Sequence, residues 1–191
     1  MPGRRILQFI VFVAAAVLLT SCVAFRSGDL TLTPWPPKAT GNKRSVKIAI
    51  DGVSGHQLES FYKQTIAAYQ DSGLFSKILT SSQAERSEII ADIRVIHRGE
   101  GSQALATISG LTLGLIPAWA QDSIEVKTNF KRAGGEILGS TKQSQSVRLW
   151  IHTTLIFLSP FFPLQAQLDA TMYDLGRASL IEIADVGALA K

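Results

Sequence analysis

Apolar and polar side chains alternate from Ser45 to Asp51, with Val46, Ile48 and Ile50 facing one way and Lys47, Ala49 and Asp51 the other. A period of two predicts a half-buried strand. The period then lengthens: Ser54 and Gln57 have capping-box spacing, and Leu58, Phe61, Tyr62, Thr65, Ile66 and Tyr69 recur at helical intervals up to Gly73. This predicts an amphipathic helix whose aromatic stripe packs on a sheet rather than forming a ligand platform. Gly73, Leu74, Phe75 and Ile78 predict a C-cap and a short strand, and the polar run 81–87 predicts a loop. Alternation returns in Ile89–Arg98 and in Ser123–Lys131, where Ile124, Val126, Thr128 and Phe130 oppose Glu125, Lys127 and Asn129. Residues 132–135 (RAGG) predict a hairpin turn, and a returning strand runs from near Glu136 to Arg148 through an almost wholly polar middle. Toward the C-terminus, Leu168, Met172, Leu175 and Ser179 have helical spacing ahead of Ile181, Ile183 and Val186, with a break predicted around Asp174 and Gly176.

Two segments interrupt this pattern. Gly101 to Gln121 contains no charged residue, and neither does Leu149 to Leu168. Each is long enough to span a bilayer but broken, the first by Gly110, Gly114 and Pro117, the second by His152, Ser159, Pro160 and Pro163. Interruption predicts bent apolar helical segments, with Trp119 and Trp150 near the charged flanks, where amphipathic rings favour a water interface. If the strands at 89–98, 123–131 and 136–148 form an antiparallel meander, both segments leave from the same edge of the sheet. Two readings stay open. Leu111, Leu113, Leu115, Ile116, Trp119, Trp150, Leu155, Phe157, Phe161 and Phe162 contact a membrane or a partner, or the segments cover the sheet as core. The fold class expected is α+β. It comprises an antiparallel or mixed sheet of about five strands, one packed amphipathic helix, two apolar helical segments and a C-terminal helix.

The first residues read differently. Arg4 and Arg5 precede an uncharged core, Ile6 to Leu19, which ends in the small residues Thr20 and Ser21 and then Cys22, the only cysteine. Basic end, short apolar core and small residues are the plan of a secretory signal. The four residues Leu19, Thr20, Ser21 and Cys22 resemble the lipobox of bacterial lipoproteins. That resemblance implies diacylglyceryl transfer to the Cys22 thiol, cleavage before it, and acylation of the new amine. Two or three acyl chains would hold the mature chain on a membrane, at about 0.8 kcal/mol per buried CH₂. Val23 is not the aspartate that favours inner-membrane retention in enterobacterial lipoproteins, so the resemblance implies the outer membrane of a Gram-negative cell, facing the periplasm. Residues 1–21 are then signal and 22–44, with Pro34, Pro36, Pro37 and Gly41, are acylated terminus and tether, although Trp35 could pack on the domain. Residues 45–191 form a single domain.

Two further resemblances concern the mature part. Strand, helix and strand, with "SGLF" at 72–75, resemble the small α/β domain of Tol-system periplasmic proteins and curli-type secretion lipoproteins. The stretch "SGLTLGLIPAW" at 109–119 is similar to uncharacterised Gram-negative envelope lipoproteins, which carry no activity to transfer. Both imply an envelope location and neither implies chemistry.

Composition narrows the rest. At 46% apolar and 18% charged the 191 residues suit a folded domain, and the net charge of +4, half of it from Arg4 and Arg5, is scattered. Nucleic acid is not an expected partner. One cysteine excludes an internal disulfide and a cysteine-rich metal site. His56, His97 and His152 have no ligand spacing, and only His152, inside an apolar run, invites a functional reading, against which the favoured reading is a satisfied buried imidazole. Glu85 with Glu88 and Asp169 with Asp174 lie in polar sequence that reads as solvated charge. Gly110 and Gly114 form a common GxxxG pattern, and nucleophile or phosphate-binding fingerprints are missing. The expectation is a non-enzymatic, lipid-anchored envelope protein with a structural or assembly role, without cofactor or metal, partnered by membrane lipid and by an envelope complex or itself. An accessory of envelope transport or secretion is the first alternative, and an enzyme with an unrecognised site the second.

Overall fold

The computed structural model describes residues 22–38, 42–53 and 56–190. The predicted signal, with Arg4, Arg5, Leu19, Thr20 and Ser21, lies outside the described residues, as does Ser54, the first member of the predicted capping pair. The elements are β1 (Cys22–Ser27), β2 (Arg44–Asp51), α1 (His56–Ser72), β3 (Phe75–Thr80), β4 (Ile89–Gly101), α2 (Gln103–Leu111), β5 (Ala118–Arg132), β6 (Ile137–Ile151) and α3 (Leu164–Asp185). A 3-10 turn spans Thr153–Phe157 and another Ala188–Ala190. The strands form a six-stranded mixed sheet in the order β1-β6-β5-β4-β2-β3, one strand more than the sequence suggests. The chain divides into two compact units, one of residues 22–27, 99–122 and 147–167, the other of the remainder.

In the larger unit, β2 runs parallel to both β3 and β4, with Val46 opposite Ile78 on one side and Ile89 on the other. β5 returns antiparallel to β4, since Asp92 meets Lys131 and Arg98 meets Glu125. Asn129 with Ser140 and Ser123 with Ser146 give β6 the opposite sense to β5. Alternation then decides which side is covered. Val46, Ile48, Ile89, Ala91, Ile93, Val95, Ile124, Val126 and Phe130 are buried against Phe61 and Tyr69 of α1 and Met172, Leu175, Leu180 and Ile183 of α3. The aromatic stripe of α1 is therefore core, with Tyr69 stacked on Phe75 at 5.4 Å and near Phe130 at 6.5 Å.

The predicted break in the last helix is corrected: α3 is continuous from Leu164 to Asp185. Gly176 is a packing residue, because a Cβ there would stand 3.1 Å from that of Ala68 on α1. Two side-chain bonds join the same helices, Ser60 Oγ donating to Asp169 Oδ1 at 2.6 Å and the Tyr173 hydroxyl to Asp71 Oδ2 at 2.6 Å. Burial, reinforced by that bond to Asp71, pushes the Tyr173 hydroxyl up to about 12. Asp174 pairs with Arg177 at 3.4 Å.

The tether is corrected in the same region. Arg177 Nη2 donates to the Leu32 carbonyl at 3.0 Å and its guanidinium lies 4.8 Å over the Trp35 ring, so residues 30–35 are packed on α3. Leu30 and Trp35 pack against the core and β1 starts at Cys22 itself. Proline-rich sequence without helical period is here an ordered strap, held by one arginine that a local pattern does not reveal.

The other side of the sheet is polar. Glu125 is 8% exposed, with Lys127 Nζ and Lys142 Nζ each 3.3 Å and Arg98 Nη2 3.9 Å from its carboxylate. Desolvation raises its pKa, but the hydrogen bonds and charges of Lys127 and Lys142 together outweigh that and hold the carboxyl below the ordinary glutamate value of 4.5. A depressed folded-state value stabilises the fold above the ordinary one and is lost as pH falls through it. At neutral pH the Glu125→Gln chain should therefore unfold at lower denaturant than the parent, and the two midpoints should converge as pH falls below the ordinary glutamate value of 4.5 and through the depressed one. A gap that stays constant with pH would refute the coupling. Tyr69 gives the opposite prediction. Its hydroxyl is fully buried with no hydrogen-bond partner among the described residues. Leaving such a group unpaired costs about 1–3 kcal/mol, so Tyr69→Phe should raise the thermal midpoint by roughly 2–12 °C, measured by calorimetry.

Candidate functional site

The smaller unit is built from the two uncharged segments and β1. Helix α2 starts where the Ser102 side chain accepts from Leu105 N–H at 3.2 Å and lasts nine residues. The apolar composition would let it run on, but the chain reverses. Thr112 Oγ1 donates to the Ile108 carbonyl at 2.9 Å and accepts from Ile116 N–H at 3.3 Å, and Leu113 and Gly114 adopt φ of 52° and 78°. A leucine in the left-handed region costs on the order of 1–2 kcal/mol, so the turn needs an external hold.

Thr153 supplies it. Its N–H donates to the Gly114 carbonyl at 3.0 Å and its hydroxyl to the Leu113 carbonyl at 2.9 Å. A Cβ at Gly114 would stand 3.2 Å from Thr153 N, which leaves glycine as the residue that fits. Thr153 is itself placed by the 3-10 turn it opens. His152 caps that turn, its Nδ1 accepting from Thr154 N–H at 3.2 Å and lying 2.6 Å from Thr154 Oγ1, which puts the neutral ring's proton on Nε2. The imidazole that the sequence singled out is thus half-buried and turned to a local capping role.

The clamp decides what the unit displays. Leu111 is 80% exposed, Leu113 66%, Leu115 72%, Phe157 81% and Phe161 73%. Ile116, Trp119 and Trp150 are exposed too, while Leu155 and Phe162 are half-buried. The reading of these segments as covering core is overturned for the exposed residues. They are also not two helices: the first is helical over Gln103–Leu111, and the second contributes the end of β6, the 3-10 turn and the start of α3. Gly114, Pro117, Pro160 and Pro163 stop regular helix where the sequence interrupts it. Burying each such side chain is worth about 1.5–3 kcal/mol, so a display of this kind is costly unless something apolar meets it.

Of the selected side chains, Trp150 and Leu155 come together. With Phe25, Pro117 and His152 they line an open pocket of about 330 Å³ whose wall is wholly apolar. Phe25 is held there beside the turn before α3, where Ala24 N–H donates to the Phe162 carbonyl at 3.2 Å and the rings of Phe25 and Phe162 lie 5.4 Å apart. Phe25 and Pro117 were missed by sequence reasoning. The Val23 and Phe25 alternation is the available signal for β1, but it is only two apolar positions long. Exposed Leu105, Ile108, Leu158 and Leu164 extend the apolar display beyond the residues selected.

Charge stays at the margin. Arg148 donates from Nε and Nη2 to Gln121 Oε1 at 3.1 and 2.7 Å, so the one cation of residues 147–167 is spent on the strand pair. The carboxylates considered for acid–base chemistry are dispersed. Glu85 pairs with Lys77, Glu88 accepts from Ser45 N–H at 3.0 Å, Asp169 binds Ser60 and Asp174 binds Arg177. Among the described residues no three His, Cys, Asp or Glu side chains converge as a metal site, and no helix is long and apolar enough to cross a membrane. The arrangement can present and enclose hydrocarbon, with no convergent polar groups beside it.

No protein-family model matches the chain, and no curated protein matches it in sequence. Solved structures do resemble it. An uncharacterised lipoprotein B from Nitrosomonas europaea is 12% identical with a TM-score of 0.46, over 86% of this chain and 95% of that one. A Xanthomonas campestris protein of the family DUF330 is 13% identical with a TM-score of 0.43, over 84% and 95%. The PelC dodecamer subunit of Paraburkholderia phytofirmans is 10% identical with a TM-score of 0.41, over 84% and 96%.

Proposed function

We propose that the chain is an acylated lipoprotein of a Gram-negative envelope, anchored through Cys22 on the periplasmic side of the outer membrane, and that it works without catalysis by resting the apolar side chains of its smaller unit in a lipid interface. The observation that carries this reading is the clamped Leu113 and Gly114 turn, which spends backbone strain to keep Leu113 and Leu115 in the open. Two features agree with it. The exposed leucines and phenylalanines fall in segments free of charge, and Cys22 begins β1, which belongs to the same unit.

Cys22→Ala should abolish incorporation of a fatty-acid label; unchanged labelling would exclude acylation at this residue. For the interface, an exported mature chain without acylation is followed by alkaline extraction of membranes. Retention in a detergent-soluble pellet is expected, and release as a folded monomer would remove the side-chain contribution. Leu113→Asp combined with Leu115→Asp should leave the circular dichroism spectrum unchanged, because both side chains are exposed. Binding to phospholipid vesicles should fall by about 100-fold or more, from the loss of roughly 1.5–3 kcal/mol per leucine. If the double variant binds as the parent does, these leucines do not touch lipid.

A further inference from the structure

The apolar pocket of the smaller unit is not explained by contact with a flat interface. Its wall is made by Phe25, Pro117, Trp150, His152 and Leu155, and the surface these residues turn toward it is apolar. Sites for polar small molecules have a few convergent donors or acceptors that orient the ligand. This one has none, so its chemistry suits hydrocarbon. At about 330 Å³ it lies at the small end of ligand sites. Allowing each methylene about the 30 Å³ that a water occupies in the liquid, it takes a single chain of roughly ten carbons.

The nearest source of such a chain is at the start of β1. Cys22 precedes Phe25 by three residues in a strand, which places the two Cα atoms about 10 Å apart at a rise of about 3.3 Å per residue. A fatty acyl chain is longer than that span. We propose that the pocket holds one acyl chain carried on Cys22, while the remaining chains enter the membrane. This rests on the acylation proposed above. A chain withdrawn into the pocket exchanges one apolar surrounding for another. It is therefore cheap to seat, and it covers the exposed parts of Phe25 and Trp150.

The test compares the acylated protein in phospholipid nanodiscs with the mature chain prepared without acylation, each titrated with 12-bromododecanoate, whose bromine quenches tryptophan fluorescence on contact. Intact mass is read first. Absence of acyl mass on Cys22 overturns the anchoring reading and this proposal with it. With acyl mass present, saturable quenching is expected in the unacylated chain and none above background in the acylated one. Trp150→Phe should remove the saturable signal while Trp119 and Trp35 remain. Leu155→Asp should weaken binding by at least about tenfold, because a carboxylate in that wall must lose its hydration. Equal saturable quenching in both proteins would show a foreign lipid in the pocket and the Cys22 chains elsewhere. Quenching that rises without saturation in the unacylated chain would show no hydrocarbon site. Either result overturns the assignment while leaving the anchor intact.

Discussion

Everything in the larger unit depends on covering one side of the β2, β4 and β5 strands, and two helices do it by coming very close together. Gly176 makes that approach possible, with Ala68 in contact range, and the bonds from Ser60 to Asp169 and from Tyr173 to Asp71 hold it. The other side of the same strands carries Glu125 with its lysines, so the sheet is apolar where helices lie and charged where none do. Strand alternation allows both at once, since successive side chains point to opposite faces.

The smaller unit obeys a different constraint. It has little charge, short helix and a turn that is unfavourable by itself and is held by hydrogen bonds from Thr153. Thr153 matters because its N–H and hydroxyl satisfy two successive carbonyls of a reversed chain at once. The price is conformational strain at Leu113; what is gained is a fixed display of leucines. Rigid presentation lowers the ordering cost of whatever contact follows.

The polar side chains considered for chemistry meet a third constraint. The polar groups that could do chemistry are each tied into structure, Glu88 to β2, Asp169 to α1, and His152 to the turn it caps. What the smaller unit leaves in the open is apolar area, which gains by meeting another apolar surface.

Much of this was legible in the chain itself. The strand at 44–51, the stripe of α1, the alternation of Ile124 through Phe130 and the turn before β6 follow from side-chain period alone, because a sheet with one covered face imprints a period of two and its helix a period near four. Charge-free stretches marked the display segments, and the lipobox-like run marked Cys22. Other features depend on partners distant in sequence. Gly176 and Asp174 look like helix breakers until Ala68 and Arg177 are placed beside them, and the 30–35 strap looks like a tether until Arg177 reaches Leu32 and Trp35. Whether Leu113 and Leu155 were core or surface rested on a hydrogen bond between residues forty apart, and a pocket joining Phe25 to Trp150 spans most of the chain. Local pattern determined which segments are strand, helix or uncharged; tertiary contacts alone decided which apolar residues stay in the open, because burial is a property of neighbours that the chain brings together only when folded.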